Sequence, residues 1–472
     1  MRILALATVV TAALLTGASV ALASDVGAND DSAKFEPDGG AALYARMADL
    51  GLRQTVIGVR FVPSDPLVIQ DKALLDRAIE SAVDAGLKVV LAVYPYPPRE
   101  LEAGSSSASL FGSYVGVIAS IYPQVSQFVI GNEPNQPAFW RPQFDGAGAN
   151  VSASSFGPYL AAAYDTLKGV DPNITVVGVG LSPRGNDRPT AKNNISTSPV
   201  RFLRALGTWY RRSGRAKPLM DGFSFHPYPN EATDPLERGY QWPNAGFANL
   251  DRLKQALWDA FEGTGQPTTL DGMKLHLDEV GWQVDTQGRV GYRGLENVPV
   301  TDEASQATIY GQVVREAACD PDVASLSFFG FRDDGLRTGF QAGLERADGS
   351  ARLSEASVQA AIPEGCTGAQ RTWSPGLDVL GARVAIGGRH ADVTARVAAG
   401  EDARARVCVR AAALYTTPTR CRAVSVQGLR SLDVDVRAPA NTTGPVEVAV
   451  QFAAEANPAR RTLVLRWTML RP

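Results

Sequence analysis

Two short segments of this 472-residue chain set a carboxylate among side chains that could work with it. One is Gly131-Asn132-Glu133-Pro134-Asn135 and the other is Leu277-Asp278-Glu279-Val280-Gly281-Trp282. Between them in sequence lies Phe223-Ser224-Phe225-His226-Pro227-Tyr228. Two carboxylates facing each other across a cleft are what glycosidic bond cleavage requires. One must be protonated to donate to the leaving oxygen, and the other ionised to attack the anomeric carbon. Like charges held close cannot both ionise easily, so their pKa values should split and yield an acid and a nucleophile near neutral pH. Glu133 and Glu279 are the expected pair, with Asp278 beside Glu279 as the alternative second carboxylate.

Such chemistry needs a scaffold that brings distant segments to one place. From Asp25 to about Cys366 short apolar runs alternate with amphipathic helical patterns. The expected strands are Val26–Asn29, Thr55–Phe61, Lys88–Tyr94, Gln127–Gly131, Thr175–Gly180, Gly222–His226, Lys274–Glu279 and Ser325–Phe331. Continuous runs such as Val89-Val90-Leu91-Ala92-Val93 suit parallel strands buried on both faces. Leu74, Leu75, Ala78, Ile79, Ala82 and Val83 form a helical stripe that Gly86 closes. Eight strand–helix pairs with right-handed crossovers predict a (β/α)8 TIM barrel. An open doubly wound sheet is disfavoured, because no strand leads into G-x-G-x-x-G or a P-loop.

All eight strands of such a barrel deliver their C-terminal ends to one face. The second strand brings Arg60 there, the third Tyr94-Pro95-Tyr96, the fourth Glu133, the sixth His226 and Tyr228, the seventh Glu279 and the eighth Phe329 and Phe331. Alternation along the seventh strand puts Leu275, Leu277 and Glu279 on one face and turns His276 and Asp278 toward the surrounding helices. The loops after strands four, six and seven are long and aromatic, and Trp140 and Trp282 are the expected platforms for sugar rings.

These strand ends resemble the clan A retaining glycoside hydrolases. Asn132-Glu133-Pro134 ending strand four, a glutamate ending strand seven, His226-Pro227-Tyr228 on strand six and Arg60 on strand two carry the likeness. Within the clan the chain looks most like cellulase-like members of glycoside hydrolase families 5 and 39, over about residues 25–365. The resemblance implies Glu133 as acid/base and Glu279 as nucleophile, in a double displacement with retention. It implies Asn132 as the hydrogen-bond partner of the sugar 2-hydroxyl and Tyr228 as the phenol that contacts the nucleophile. Arg60 becomes the cation that helps keep that nucleophile ionised, and His226 a residue that shapes the cleft. Two departures stand out. Family 5 members often carry a histidine after strand three, where this chain has Tyr94-Pro95-Tyr96, and the clan usually ends strand eight in tryptophan, where this chain offers Phe329 and Phe331.

The rest of the chain frames this reading. Residues 1–23 read as a secretory signal peptide, with one positive charge, an apolar run and Ala21-Leu22-Ala23. Residues 24–366 form the expected catalytic domain, 367–377 a linker, and 378–472 an antiparallel β-sandwich accessory domain, since period-two runs such as Leu432-Asp433-Val434-Asp435-Val436 recur there. Cys319–Cys366 and Cys408–Cys421 are the expected disulfides, which fits a secreted, extracellular or cell-wall-associated protein. Lys+Arg number 46 against 49 Asp+Glu, so no nucleic-acid partner is expected. Three scattered histidines argue against a metal centre, and neither a metal nor an organic cofactor is expected. No apolar run after the N-terminus is long enough to span a membrane. A monomer acting on a carbohydrate is the resulting expectation. A non-catalytic carbohydrate-binding or cell-wall protein on the same TIM-barrel scaffold is the alternative.

Overall fold

The computed structural model describes residues 24–101, 105–371 and 373, together with seven strands between 378 and 469. The expected signal peptide lies outside the described residues. Eight parallel strands close into a barrel: β1 (Asp25–Asn29), β2 (Gln54–Phe61), β3 (Lys88–Pro95), β4 (Gln127–Ile130), β5 (Thr175–Leu181), β6 (Gly222–Phe225), β7 (Lys274–Val280) and β8 (Val323–Phe329). Eight main helices follow them: α1 (Ala41–Asp49), α2 (Lys72–Asp84), α3 (Ser105–Ile121), α4 (Ser152–Val170), α5 (Pro199–Ser213), α6 (Leu250–Phe261), α7 (Glu303–Ala318) and α8 (Leu353–Glu364). The expected TIM barrel is present. No described helix is long and apolar enough to cross a membrane.

The barrel is built as two hydrophobic layers. Outward-facing strand residues join the helix stripes in one continuous core that includes Leu75, Ile79, Leu91, Phe128, Leu275 and Leu277. Inside the barrel Val56, Val90, Val129 and Val177 form a separate plug, with Ala92 packed against it. Burying such aliphatic side chains supplies the main driving force for closure, about 1.5–3 kcal/mol for each. A polar set also lies within the barrel. Lys88 Nζ donates to Gln127 Oε1 at 2.7 Å, Gln127 Nε2 lies 3.4 Å from His276 Nδ1, and that nitrogen lies 2.9 Å from Ser325 Oγ. Burial pushes the His276 imidazolium down to about 3, assisted by the Lys88 charge, so this histidine is neutral.

His276 therefore faces the barrel axis, not the helices. The alternation expected along β7 is reversed: Leu275 and Leu277 pack outward, while His276 and Asp278 point inward. The pairing of β7 with β8 shifts register between Leu277 and Val280, and this irregularity lies where Glu279 sits. A bulge of this kind re-aims a side chain that regular alternation would send to the other face.

Three ties secure the barrel end that carries the strand termini. Asp30, just after β1, accepts from Phe331 N at 2.7 Å, Arg332 N at 2.9 Å and Ser32 N at 2.7 Å, fastening the start of the sheet to the loop after β8. Within that loop Asp333 pairs with the buried Arg352 and accepts from Tyr292 Oη, and Glu303 at the start of α7 pairs with Arg346 at 2.6 Å.

The C-terminal strands form two antiparallel sheets. One has the order β13-β10-β9, from Ser431–Pro439, His390–Ala398 and Asp378–Gly387. The other has the order β12-β11-β14-β15, from Arg420–Val426, Ala403–Ala411, Val446–Ala454 and Leu463–Met469. Val434 and Val436 are buried while Asp433, Asp435 and Arg437 are exposed, which is the period-two pattern read from the sequence. Cys408 stands directly opposite Cys421 in the β11–β12 ladder, the register the second expected pairing needs. Cys319 and Cys366 form the first expected disulfide, closing a loop with a sequence separation of 47. Replacing both of its cysteines with alanine should cost about 2–5 kcal/mol of stability, read as a lower thermal midpoint of the oxidised protein.

Candidate active site

The segment after β4 leaves the barrel through an unusual backbone. Gly131 has φ +106°, and a Cβ there would lie 2.8 Å from both the Phe156 ring and Val179 O, so only glycine fits. Two residues later Glu133 itself adopts φ +41°, left-handed backbone that non-glycine residues rarely enter. Its N–H donates to Gly180 O at 2.7 Å, which fixes the turn. Asn135 completes the frame: buried, it donates to Ser182 O at 3.1 Å and Thr197 O at 2.9 Å and accepts from Ser182 N at 3.0 Å. The result aims the Glu133 carboxyl across the barrel mouth.

There it meets the residues from β6 and β7. His226 Nδ1 lies 3.2 Å from Glu133 Oε1 and 3.3 Å from Glu279 Oε2. The other ring nitrogen, Nε2, lies 3.5 Å from Asp278 Oδ1. Tyr228 Oη donates to Glu279 Oε2 at 2.9 Å, and Asn29 Nδ2 donates to Glu279 Oε1 at 3.4 Å and to Asp278 O at 3.2 Å. Ser224 Oγ donates to Asp278 Oδ1 at 2.5 Å. Donor atoms of Glu133, His226 and Glu279 all lie within 4.8 Å of one another. Strands β1, β4, β6 and β7 thus converge on a single cluster.

Its electrostatics follow from burial. Burial alone would depress the His226 imidazolium, but the charges of Glu279, Asp278 and Glu133 outweigh it and hold the group up to about 10. The same burial pushes Glu279 up to about 7, with the imidazolium and the Tyr228 hydroxyl pulling it back and Glu133 and Asp278 pushing it further. Asp278 is raised as well, mainly by burial. One cation therefore stands among three carboxylates. A metal ion could take the Glu133, His226 and Glu279 donors only after His226 gave up its proton, and its neighbours hold that proton firmly.

The structure brings together Glu133, Glu279, His226 and Tyr228 as the sequence reading expected. Asn132 is half-buried at the same mouth, and its carboxamide makes no hydrogen bond among the described residues. Three expectations change. Arg60 forms no ion pair with Glu279; it stands beside Tyr94 in the β2–β3 ladder, and its guanidinium lies 5.2 Å from the Tyr96 ring centroid. Trp140 is only 3% exposed, packed edge-on against Phe156 and Tyr159 with its indole N–H on Ser155 Oγ. Trp282 is 1% exposed, against Tyr310, with its N–H on Asp234 O. Neither tryptophan offers a face to a sugar, because each fills space beneath its loop. At the end of β8 it is Phe329, half-buried, that reaches Tyr228, at 6.1 Å between centroids, while Phe331 is fully buried.

The sequence reading gives no role to Asn29 or Ser224, and it names Asp278 as the alternative second carboxylate but turns it toward the helices. An inventory of the β1 terminus would have found Asn29, the last residue of that strand.

By sequence, no known protein family and no curated protein matches the chain. Among solved structures it is similar to a family 39 glycoside hydrolase from the gut symbiont Bacteroides cellulosilyticus WH2, with 14% identity, 87% of this chain and 80% of that one covered, and a TM-score of 0.48. A glucosidase from Croceicoccus marinus gives 13% identity over 91% of this chain and 95% of that one, with a TM-score of 0.49. A family 5 glycoside hydrolase from Bifidobacterium longum subsp. infantis gives 12% identity over 74% and 80%, with a TM-score of 0.47. Identities this low leave the site to be read from the residues of this chain.

The cluster makes a spectroscopic prediction. In 15N NMR of the imidazoles at pH 8, His226 should still be doubly protonated while His276 is neutral, and His276 should stay neutral down to about pH 4. A neutral His226 at pH 8 would remove the central cation.

Proposed function

We propose that the chain is a secreted retaining glycoside hydrolase that cleaves β-glycosidic bonds of a poly- or oligosaccharide. The single observation that carries this is the convergence of Glu133 and Glu279, with an oxygen of each inside a 4.8 Å cluster. So close an approach of one oxygen from each favours the retaining arrangement, with carboxyls roughly 5–5.5 Å apart, over the inverting one at about 6.5–9.5 Å.

In this reading Glu279 is the nucleophile and Glu133 the acid/base. Glu279 attacks the anomeric carbon as Glu133 protonates the departing oxygen, giving a glycosyl ester on Glu279. Glu133, now ionised, takes a proton from water, which attacks the same carbon and releases Glu279. Burial pushes Glu279 up to about 7, against this role, and its neighbours offset part of that push. Hydrogen bonds from Tyr228 and Asn29 and the His226 cation favour the ionised Glu279. Asn132, with its amide unpaired, is free to bond the sugar 2-hydroxyl. Residues 24–366 form the catalytic domain, 367–377 a linker and 378–472 an accessory β-sandwich. Export of the chain agrees with its disulfide. A non-catalytic binding protein would not need a buried cation locking two glutamates together.

The decisive test is reducing-end release from a panel of plant and microbial polysaccharides. E279Q and E133Q should each lower kcat/KM at least about a thousandfold, some 4 kcal/mol of barrel-bound transition-state stabilisation, and NMR of the first product should show a retained β anomer. An inverted product would overturn the double displacement, and an E279Q variant as active as wild type would overturn the nucleophile. The pH profile has a definite sign. Since Glu279 must be ionised to attack, kcat/KM should rise with pH through an acid limb near 7. In H226Q the cation that holds Glu279 down is gone, so that limb should move to higher pH.

A further inference from the structure

Arg60 is the charged residue at the barrel mouth that the proposed reaction does not use. It follows Val56 and Gly58 at two-residue spacing along β2, and Val56 belongs to the plug inside the barrel, so Arg60 also faces the axis, at the open end. It is exposed, and no carboxylate lies within ion-pair distance of it among the described residues. The acid that its charge senses first, Asp31, is already occupied: it accepts from Gly58 N at 2.7 Å and pairs with Lys34 at 3.1 Å. Glu279 draws its charged neighbours from His226, Glu133 and Asp278 instead.

Two tyrosines flank the guanidinium. Tyr94 stands beside it across the β2–β3 ladder, and the Tyr96 ring centroid lies 5.2 Å from it. Arg60 and Glu279 both stand at strand ends that open on this mouth. A guanidinium with free N–H groups is a fork that matches a planar carboxylate in two parallel hydrogen bonds. The imidazolium of the cluster is already matched by three carboxyl groups, so an incoming anion would find its unmatched cation in Arg60 and not in His226.

We infer that Arg60 receives the carboxylate of a uronic acid residue, so that the substrate is an acidic, uronate-containing saccharide. This rests on the reading of Glu133 and Glu279 as a glycosidase pair. The test compares β-linked uronate oligosaccharides (oxidised cello-oligosaccharides and glucuronoxylan fragments) as free acids and as methyl esters, with sulfated and neutral oligosaccharides beside them. The ester keeps the skeleton and removes the charge. Wild type should prefer the acid over its ester by about 10- to 100-fold in kcat/KM, the worth of a charge-assisted hydrogen bond. R60Q should abolish that ratio, and R60K, which keeps the charge without the fork, should retain part of it. An equal loss on acid and ester in R60Q would overturn the inference and return Arg60 to general support of the site. Cleavage of neutral or sulfated oligosaccharides in preference to uronates would overturn it too, with the glycosidase reading intact. Cleavage of no saccharide by wild type would take both readings down together.

Discussion

A buried imidazolium with carboxylates on both of its ring nitrogens is the interaction on which the site depends. His226 is almost wholly removed from solvent, yet Glu133, Glu279 and Asp278 keep its proton in place. Without that cation three acids would crowd one desolvated space, and the simplest relief would be for them to protonate or move apart. With it, the two glutamates from β4 and β7 are drawn to a single nitrogen. The spacing of the two carboxyls is thus set by an ion, and the barrel only has to bring the residues within its reach.

The barrel does this by specialising its strand ends. The β4 end is shaped by glycine at 131 and a buried asparagine at 135, the β7 end by a register shift, and the β1 end by Asn29 and Asp30, one touching Glu279 and the other gripping the loop after β8. Each is a small departure from regular structure laid on a very regular core. Regular packing supplies rigidity, and the irregular ends spend some of it on aiming side chains.

This division also explains what could be read from the sequence. All eight barrel strands are legible because continuous aliphatic runs have few other uses, and each observed strand begins and ends within two residues of the pattern. Glu133, His226, Tyr228 and Glu279 are legible because they sit where those runs stop. The facing of His276 and Asp278 was not, since a parallel strand is apolar or tolerant on both sides and alternation cannot say which side is the axis. Trp140 and Trp282 misled for a related reason: long loops on a barrel need bulky side chains beneath them, and a tryptophan under a loop has the same letter as one over a cleft. Arg60 stands at the expected strand end but lies against Tyr96 and not Glu279, because a resemblance carries over a side chain's position and not its contacts.

The left-handed backbone at Glu133 sets stability against turnover at one position. A non-glycine residue held at φ +41° destabilises the fold by on the order of 1–3 kcal/mol relative to one that adopts the conformation freely. Selection for thermal robustness alone would therefore favour glycine there, or asparagine, and would take one carboxyl from the cluster while strengthening the protein. The glutamate at that position gives up some stability for a carboxyl aimed at His226.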